Sequence, residues 1–236
     1  MNLPDCFCWT RFGTEAAQTV EQIFSRKEEE RLANDGTFLW GIGNAIGPSV
    51  GALLRRTSDP EVLFSPIKGP PKSLDVAPAS VVAWALGETL DGSAFALPQY
   101  SLVTSRYNPC SPGRVHYALV CYSERPLGSS GAAARLEMGG LRNLVTGRRV
   151  GASQVTAVVQ RDGPPAGICA PYPVAVRAKL VKPYFIRLRS PVLLAQSGST
   201  VRLSDIVTSL WESRLQEPAN PRRLGEVSQR ELAFNS

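Results

Sequence analysis

Histidine is nearly absent: the 236-residue chain has one, His116. A site built from several histidines is thereby excluded, and any Ser-His or Cys-His mechanism would depend on that single residue. It stands in an alternating stretch with Val115, Tyr117, Leu119 and Cys121, which reads as a strand. The five cysteines, Cys6, Cys8, Cys110, Cys121 and Cys169, form an odd set without a CxxC pair. That argues against a disulfide framework and against a zinc ribbon, so a reducing compartment and no metal are expected. No run reaches the ~18 apolar residues needed to span a bilayer, and no basic leader followed by a long apolar run opens the chain. No membrane partner and a cytoplasmic location are expected. The P-loop pattern is missing, and Gly41, Gly43 and Gly47 are spaced one residue too long for the dinucleotide fingerprint. No cofactor is expected.

What the chain has is a 43% hydrophobic composition, enough for a real core, interrupted by 20 glycines and 19 prolines that imply many short elements. Its net charge of +6 is unevenly spread. Between Gly140 and Ser190 lie Arg142, Arg148, Arg149, Arg161, Arg177, Lys179, Lys182, Arg187 and Arg189, against the single acid Asp162. This local balance of +8 leaves the rest of the chain at −2. Concentrated cations of this kind release counterions from a phosphate backbone, and they also serve simply as a solvated face.

Aromatic Cys6–Trp9 suits a first strand, and Thr14 can cap a helix whose Ala17, Val20, Ile23, Phe24 and Leu32 keep a helical period up to Gly36. The Lys27–Arg31 face of that helix reads as charged and solvated. An extended Thr37–Trp40 then leads through glycines to a short helix from Pro48 to Leu54. Strands are expected at Val62–Phe64, Val81–Leu86, Ser101–Arg106, Val115–Tyr122 and Val150–Val159, with a short helix near Leu141–Leu144. Val174–Leu180 and Tyr184–Leu188 predict a pair of basic strands around Pro183, with Arg187 and Arg189 on the face opposite Tyr184, Ile186 and Leu188. Ser204 caps a last helix carrying Trp211. The pattern predicts one α+β domain over residues 1–198, with a curved or barrel-like, mostly antiparallel sheet and peripheral helices, and a C-terminal helix and tail over 199–236.

Trp40, set between a strand end and glycines, offers an indole face for stacking, or else is a buried core residue. Trp84 and Trp211 lie in periodic apolar stretches and read as core; Trp9 is open to either reading. Gly47-Pro48-Ser49 at a helix start could present N–H groups to an anion. Glu88 and Asp91 flank a turn at Asp91-Gly92, which explains the aspartate without catalysis. Cys6 and Cys8, two apart, share one face of a strand and read as core thiols.

Taken in order, Trp40-Gly41-Ile42-Gly43-Asn44, the apolar-aromatic Val62-Leu63-Phe64, and Gly151-Ala152-Ser153-Gln154-Val155-Thr156 resemble the EVE domain of the PUA-like superfamily over roughly residues 5 to 160. The resemblance implies a PUA-like fold and binding of a modified base in DNA or RNA. Thr10-Arg11-Phe12 replaces the family's serine-glutamate-proline, and Gly43 replaces its arginine, so different pocket chemistry is implied. The expected base pocket is Trp9, Arg11, Trp40, Gly41, Asn44, Ser153 and Gln154. Arg142, Arg148, Arg149, Arg177, Lys179, Lys182, Arg187 and Arg189 would track phosphates. Two other classes stay open: an enzyme acting on a nucleotide or small anion with Glu88 or Asp91 as base, and an interaction module whose basic face and Trp211 helix meet an acidic partner.

Overall fold

The computed structural model describes residues 3–13, 20–43, 45–66, 80–97, 102–105, 115–127, 134–136, 138–151, 154–162 and 172–195. These all belong to one unit, Met1–Ser199. Thr14, Asn44, Cys110, Ser153, Cys169, Ser204 and Trp211 lie outside the described residues, as does the side chain of Trp84.

The elements are β1 (Cys6–Phe12), α1 (Val20–Ala33), β2 (Thr37–Ile42), α2 (Gly47–Leu54), β3 (Glu61–Pro66), β4 (Ser80–Glu88), β5 (Ala94–Ala96), β6 (Leu102–Ser105) and β7 (His116–Tyr122). There follow β8 (Ala134–Leu136), a 3-10 turn at Met138–Gly140, β9 (Leu141–Asn143), β10 (Thr156–Arg161), β11 (Tyr172–Val174) and β12 (Val176–Ala195). Ten strands form one sheet in the order β2-β7-β12-β3-β1-β10-β9, with β4 on β12 and β5 and β6 on β4; β8 and β11 pair separately. The α+β class and the antiparallel bias therefore hold. One pairing, β1 with β3, is parallel, made possible by the long crossover through α1, β2 and α2.

The sheet is open, not barrel-like: among the described residues no pairing joins β2 to β9. Both ends are stopped locally. At β2, the buried Glu30 of α1 accepts the outward N–H of Leu39 at 2.8 Å, which closes an edge otherwise free to pair. At β9, the chain folds back through Asn143–Arg148, with Arg142 bridging to Arg149.

Each central strand is buried on both sides, which is why its sequence reads as an apolar run. Val62 and Phe64 of β3, Phe38, Trp40 and Ile42 of β2, Leu119 and Cys121 of β7, and Cys8 of β1 share one core with Ile23 of α1 and Val50 and Leu53 of α2. The alternating residues Phe7, Trp9 and Leu63 face a second core with Leu141, Val159 and Val174. Leu39, Ala118, Val120, Ile186 and Leu188 form a third.

Three expectations are corrected. The segment at Leu141 is a strand, because its backbone pairs with β10 from Val159 to Arg161. The two basic strands are one, β12, which slips register between Leu180 and Phe185: it spends five residues where β7 spends two, around Pro183 and a Tyr184 with φ 67°. The charged face of α1 is not solvated. Lys27 is 3% exposed and Glu30 1%, while apolar Leu32 is 65% exposed.

Candidate nucleic-acid interface

Three cations of the basic strand are engaged by carboxylates that the sheet brings against it from distant segments, while Lys182 and Arg187 form no ion pair with a described carboxylate. Arg177 of β12 donates from Nη2 to Glu61 of β3 at 2.6 Å, Lys179 reaches Asp59 at 3.0 Å, and Arg189 reaches Glu88 of β4 at 2.7 Å. Hydrogen bonding to Glu61 and to Asp59 holds the Arg177 and Lys179 pKa values above their ordinary ranges. Arg187 lies between Tyr117 and Glu88 in the cross-strand register. It shares the face opposite Ile186 and Leu188, as the alternation predicts, while Tyr184, expected beside them, packs instead against the core of β2, β3 and α2. Lys182 is exposed beside Pro183.

The β9 end of the sheet is different. Directly opposed residues of paired strands place their side chains on the same face. Cys6 opposes Gln160, Gln160 opposes Arg142, and Arg142 bridges to Arg149, so one lateral row ends in two arginines. Cys6 packs against the helix-covered core, which fixes the face. Arg148 and Arg149 are exposed, and no described carboxylate lies within ion-pair distance of either. Arg142 pairs with Asp162 at an exposed position and also donates to the Gly147 carbonyl at 3.3 Å. Asn143 shapes the turn by accepting the N–H groups of Val145 and Thr146 at 3.0 and 2.9 Å, and Gly147 supplies the positive φ of 66° that the turn needs.

Of the expected base pocket, Asn44 and Ser153 lie outside the described residues, and Trp40 faces the core. That indole is 8% exposed, with Phe64 edge-on at 4.7 Å and Phe24 at 6.2 Å, so its faces are taken by the core. Trp9 is 0% exposed, lies in the second core, and donates its Nε1–H to Ser65 Oγ at 3.1 Å. The two tryptophans thus belong to opposite faces of the sheet. Arg11 sits over Trp9 at 6.0 Å from the ring centroid. Gly41 is half-buried within β2, and Gln154, also half-buried, donates to the Thr156 carbonyl at 3.4 Å.

Other sequence candidates have structural duties. Glu88 is held by Arg189, and Asp91 accepts Thr89 Oγ1–H and the Ser93 N–H, with Gly92 at φ 84° completing the turn. Gly47 permits close packing: a Cβ there would stand 2.8 Å from Leu90 Cδ2 and 3.2 Å from Phe185 Cε1. Among the described residues no group of three or more His, Cys, Asp or Glu is placed to hold a metal, and no helix is long and apolar enough to cross a membrane.

What the periodicity of α1 does not disclose is a buried ionic cluster. Lys27 Nζ bonds Glu30 at 2.6 Å beneath the helix. Burial lowers the Lys27 pKa to about 8 against the pull of Glu30, and raises that of Glu30 against the pull of Lys27. The neighbouring thiols are pushed up by burial, Cys8 to about 12 and Cys121 well above its usual range.

No family model, curated protein or solved structure matches the chain.

Proposed function

We propose that the protein binds nucleic acid at the β9 end of its sheet, through Arg142 and Arg149 with Arg148 beside them. The observation that carries this reading is the side-by-side placement of Arg142 of β9 and Arg149 of the segment folded back on it, in a molecule that sets Arg177, Lys179 and Arg189 of its basic strand against carboxylates. Guanidinium forks suit phosphate oxygens geometrically as well as electrostatically. Asp162 is a weak competitor for Arg142, since an exposed ion pair contributes ~0–1 kcal/mol. The resemblance of Trp40–Asn44 and Gly151–Thr156 to EVE domains accords with a nucleic-acid ligand. A modified base stacked on Trp40 is not part of the proposal, because Phe24 and Phe64 already occupy that ring's surroundings.

Binding of a labelled oligonucleotide across a salt series tests the reading. Affinity is expected to fall linearly in log–log form as salt rises, and Arg148→Glu/Arg149→Glu is expected to weaken it by about tenfold or more at low salt. Undetectable or salt-independent binding by the unaltered protein would remove the proposal.

A further inference from the structure

We propose that the protein carries a second ligand site, at Arg187 on the helix-covered face of the sheet, and that this site takes a small monocarboxylate with an apolar body. It is separate from the arginines of β9, since β10, β1 and β3 stand between β9 and β12.

The site begins with a register. Ile42 of β2 opposes Tyr117 of β7, Tyr117 opposes Arg187 of β12, and Arg187 opposes Glu88 of β4. Opposed residues share a face, and Ile42, buried in the core beneath α1 and α2, shows which face this is. Arg187 and Glu88 are placed to pair directly, yet they do not. The Glu88 carboxylate turns to Arg189 instead, whose Nε and Nη2 donate to one of its oxygens at 3.1 and 2.7 Å. Among the described residues Arg187 is left with no ion pair, and its buried Nε has no hydrogen-bond partner. The residue as a whole is only half-buried, so the part that reaches solvent is the outer end with its two Nη groups. A guanidinium whose inner edge is packed and whose outer end is open offers two N–H donors, side by side, to one oxyanion.

The surroundings choose among oxyanions. Arg187, Arg189 and Glu88 together give the group a net charge of +1. A singly charged ligand suits that balance, whereas a second negative charge would meet Glu88. Beside the guanidinium the surface is apolar. The Tyr117 ring stacks on Phe185 with centroids 5.4 Å apart, and Phe185 and Leu90 both come within 3.2 Å of the place a Gly47 Cβ would take. Leu90 is 45% exposed, so this apolar strip is open to a ligand. A carboxylate on Arg187 would lay an aromatic ring or short aliphatic chain over Tyr117 and Leu90. A phosphodiester carries the same single charge but has no apolar body for the strip.

The test titrates the whole chain with benzoate, acetate, benzamide, dimethyl phosphate and inorganic phosphate. Calorimetry gives the affinities, the arginine Nε–Hε signals in 15N–1H spectra locate the site, Arg187→Gln assigns the resonance, and thermal unfolding confirms that each variant folds. Benzoate is expected to shift the Arg187 signal saturably, with acetate about tenfold or more weaker for want of the ring and benzamide inactive. Arg187→Gln is expected to weaken benzoate by about tenfold or more, and Leu90→Ser to weaken benzoate while leaving acetate unchanged. Arg148→Glu/Arg149→Glu should keep benzoate affinity within about twofold, so that this site and the nucleic-acid reading fail separately. Benzoate left unbound at millimolar concentration, or bound equally by Arg187→Gln, would overturn the site. Either phosphate bound more tightly than benzoate would overturn the choice of a carboxylate.

Discussion

Glu30 and Leu39 tie a helix to the margin of the sheet: the carboxylate, itself 1% exposed, accepts the Leu39 backbone N–H at 2.8 Å while its other oxygen holds Lys27. A buried ion pair of this kind is weak as a source of net stability, yet severe when one partner is removed.

Glu30→Ala is accordingly expected to destabilise the fold by about 3–5 kcal/mol, because it removes the carboxylate that Lys27 holds and opens the β2 edge together. Lys27→Met combined with Glu30→Gln should recover part of that loss, since the amide keeps an acceptor for Leu39 and the buried ammonium is gone, while the buried Arg26 still loses the Glu30 charge. Urea unfolding of the three proteins decides; a loss below about 1 kcal/mol in Glu30→Ala would show the pair to be incidental.

Alkaline pH should act through Cys8. Its folded pKa is raised from 9.0 to about 12, so the folded thiol keeps its proton where the unfolded one loses it. The resulting stability is full below about pH 9 and is lost as pH rises towards about 12. Lys27 works in the other direction, its lowered pKa of about 8 adding stability as pH rises from there to its ordinary value of 10.5. Comparing the unaltered protein with Cys8→Ala isolates the thiol: the stability gap should narrow by about 1.4 kcal/mol per pH unit above pH 9. A gap independent of pH between 8 and 11 would refute the assignment.

Two glycines of one helix should respond oppositely to alanine. Gly47→Ala drives a Cβ to 2.8 Å from Leu90 Cδ2 and 3.2 Å from Phe185 Cε1, with an expected cost of about 1–3 kcal/mol. Gly51→Ala meets nothing nearer than 3.8 Å and should stabilise by about 0.5–1 kcal/mol through helix propensity. Thermal unfolding of both variants should move the midpoints apart; a shift in the same direction would contradict the packing at Gly47.

The cations of β12 should matter little to the ligand. Arg177→Ala and Arg189→Ala are expected to leave oligonucleotide affinity within about threefold, because each removes a guanidinium already engaged by Glu61 or Glu88. Trp40→Phe should likewise preserve affinity while lowering the unfolding midpoint. A tenfold loss from any of the three would return the interface to β12 or to the tryptophan.

Much of the framework was legible in the chain. Short apolar runs placed the strands at Thr37 and Val62, alternation placed the one at Val115, and Pro48 marked the start of α2, because these signals are local. Trp40 could not be assigned from local signals: its glycine neighbours look the same whether the ring faces a ligand or, as here, Phe24 and Phe64. The charge balance misled for a related reason. The surplus between Gly140 and Ser190 is offset in space by Asp59, Glu61 and Glu88, which only the strand pairing brings alongside. The solvated reading of α1 failed because Lys27 and Glu30 satisfy each other, a pairing that periodicity scores as two polar positions.

The 20-residue β12 gives the molecule an order of assembly. It alone joins β3, β7 and β4, pairing Val176 with Phe64, Leu180 with Cys121 and Arg187 with Glu88. A nascent chain therefore holds three groups of strands that lack their common partner until Val176 and beyond have emerged from the ribosome. Such late, long-range closure slows folding and leaves unpaired edges exposed during synthesis, which makes β12 the segment on which escape from aggregation depends.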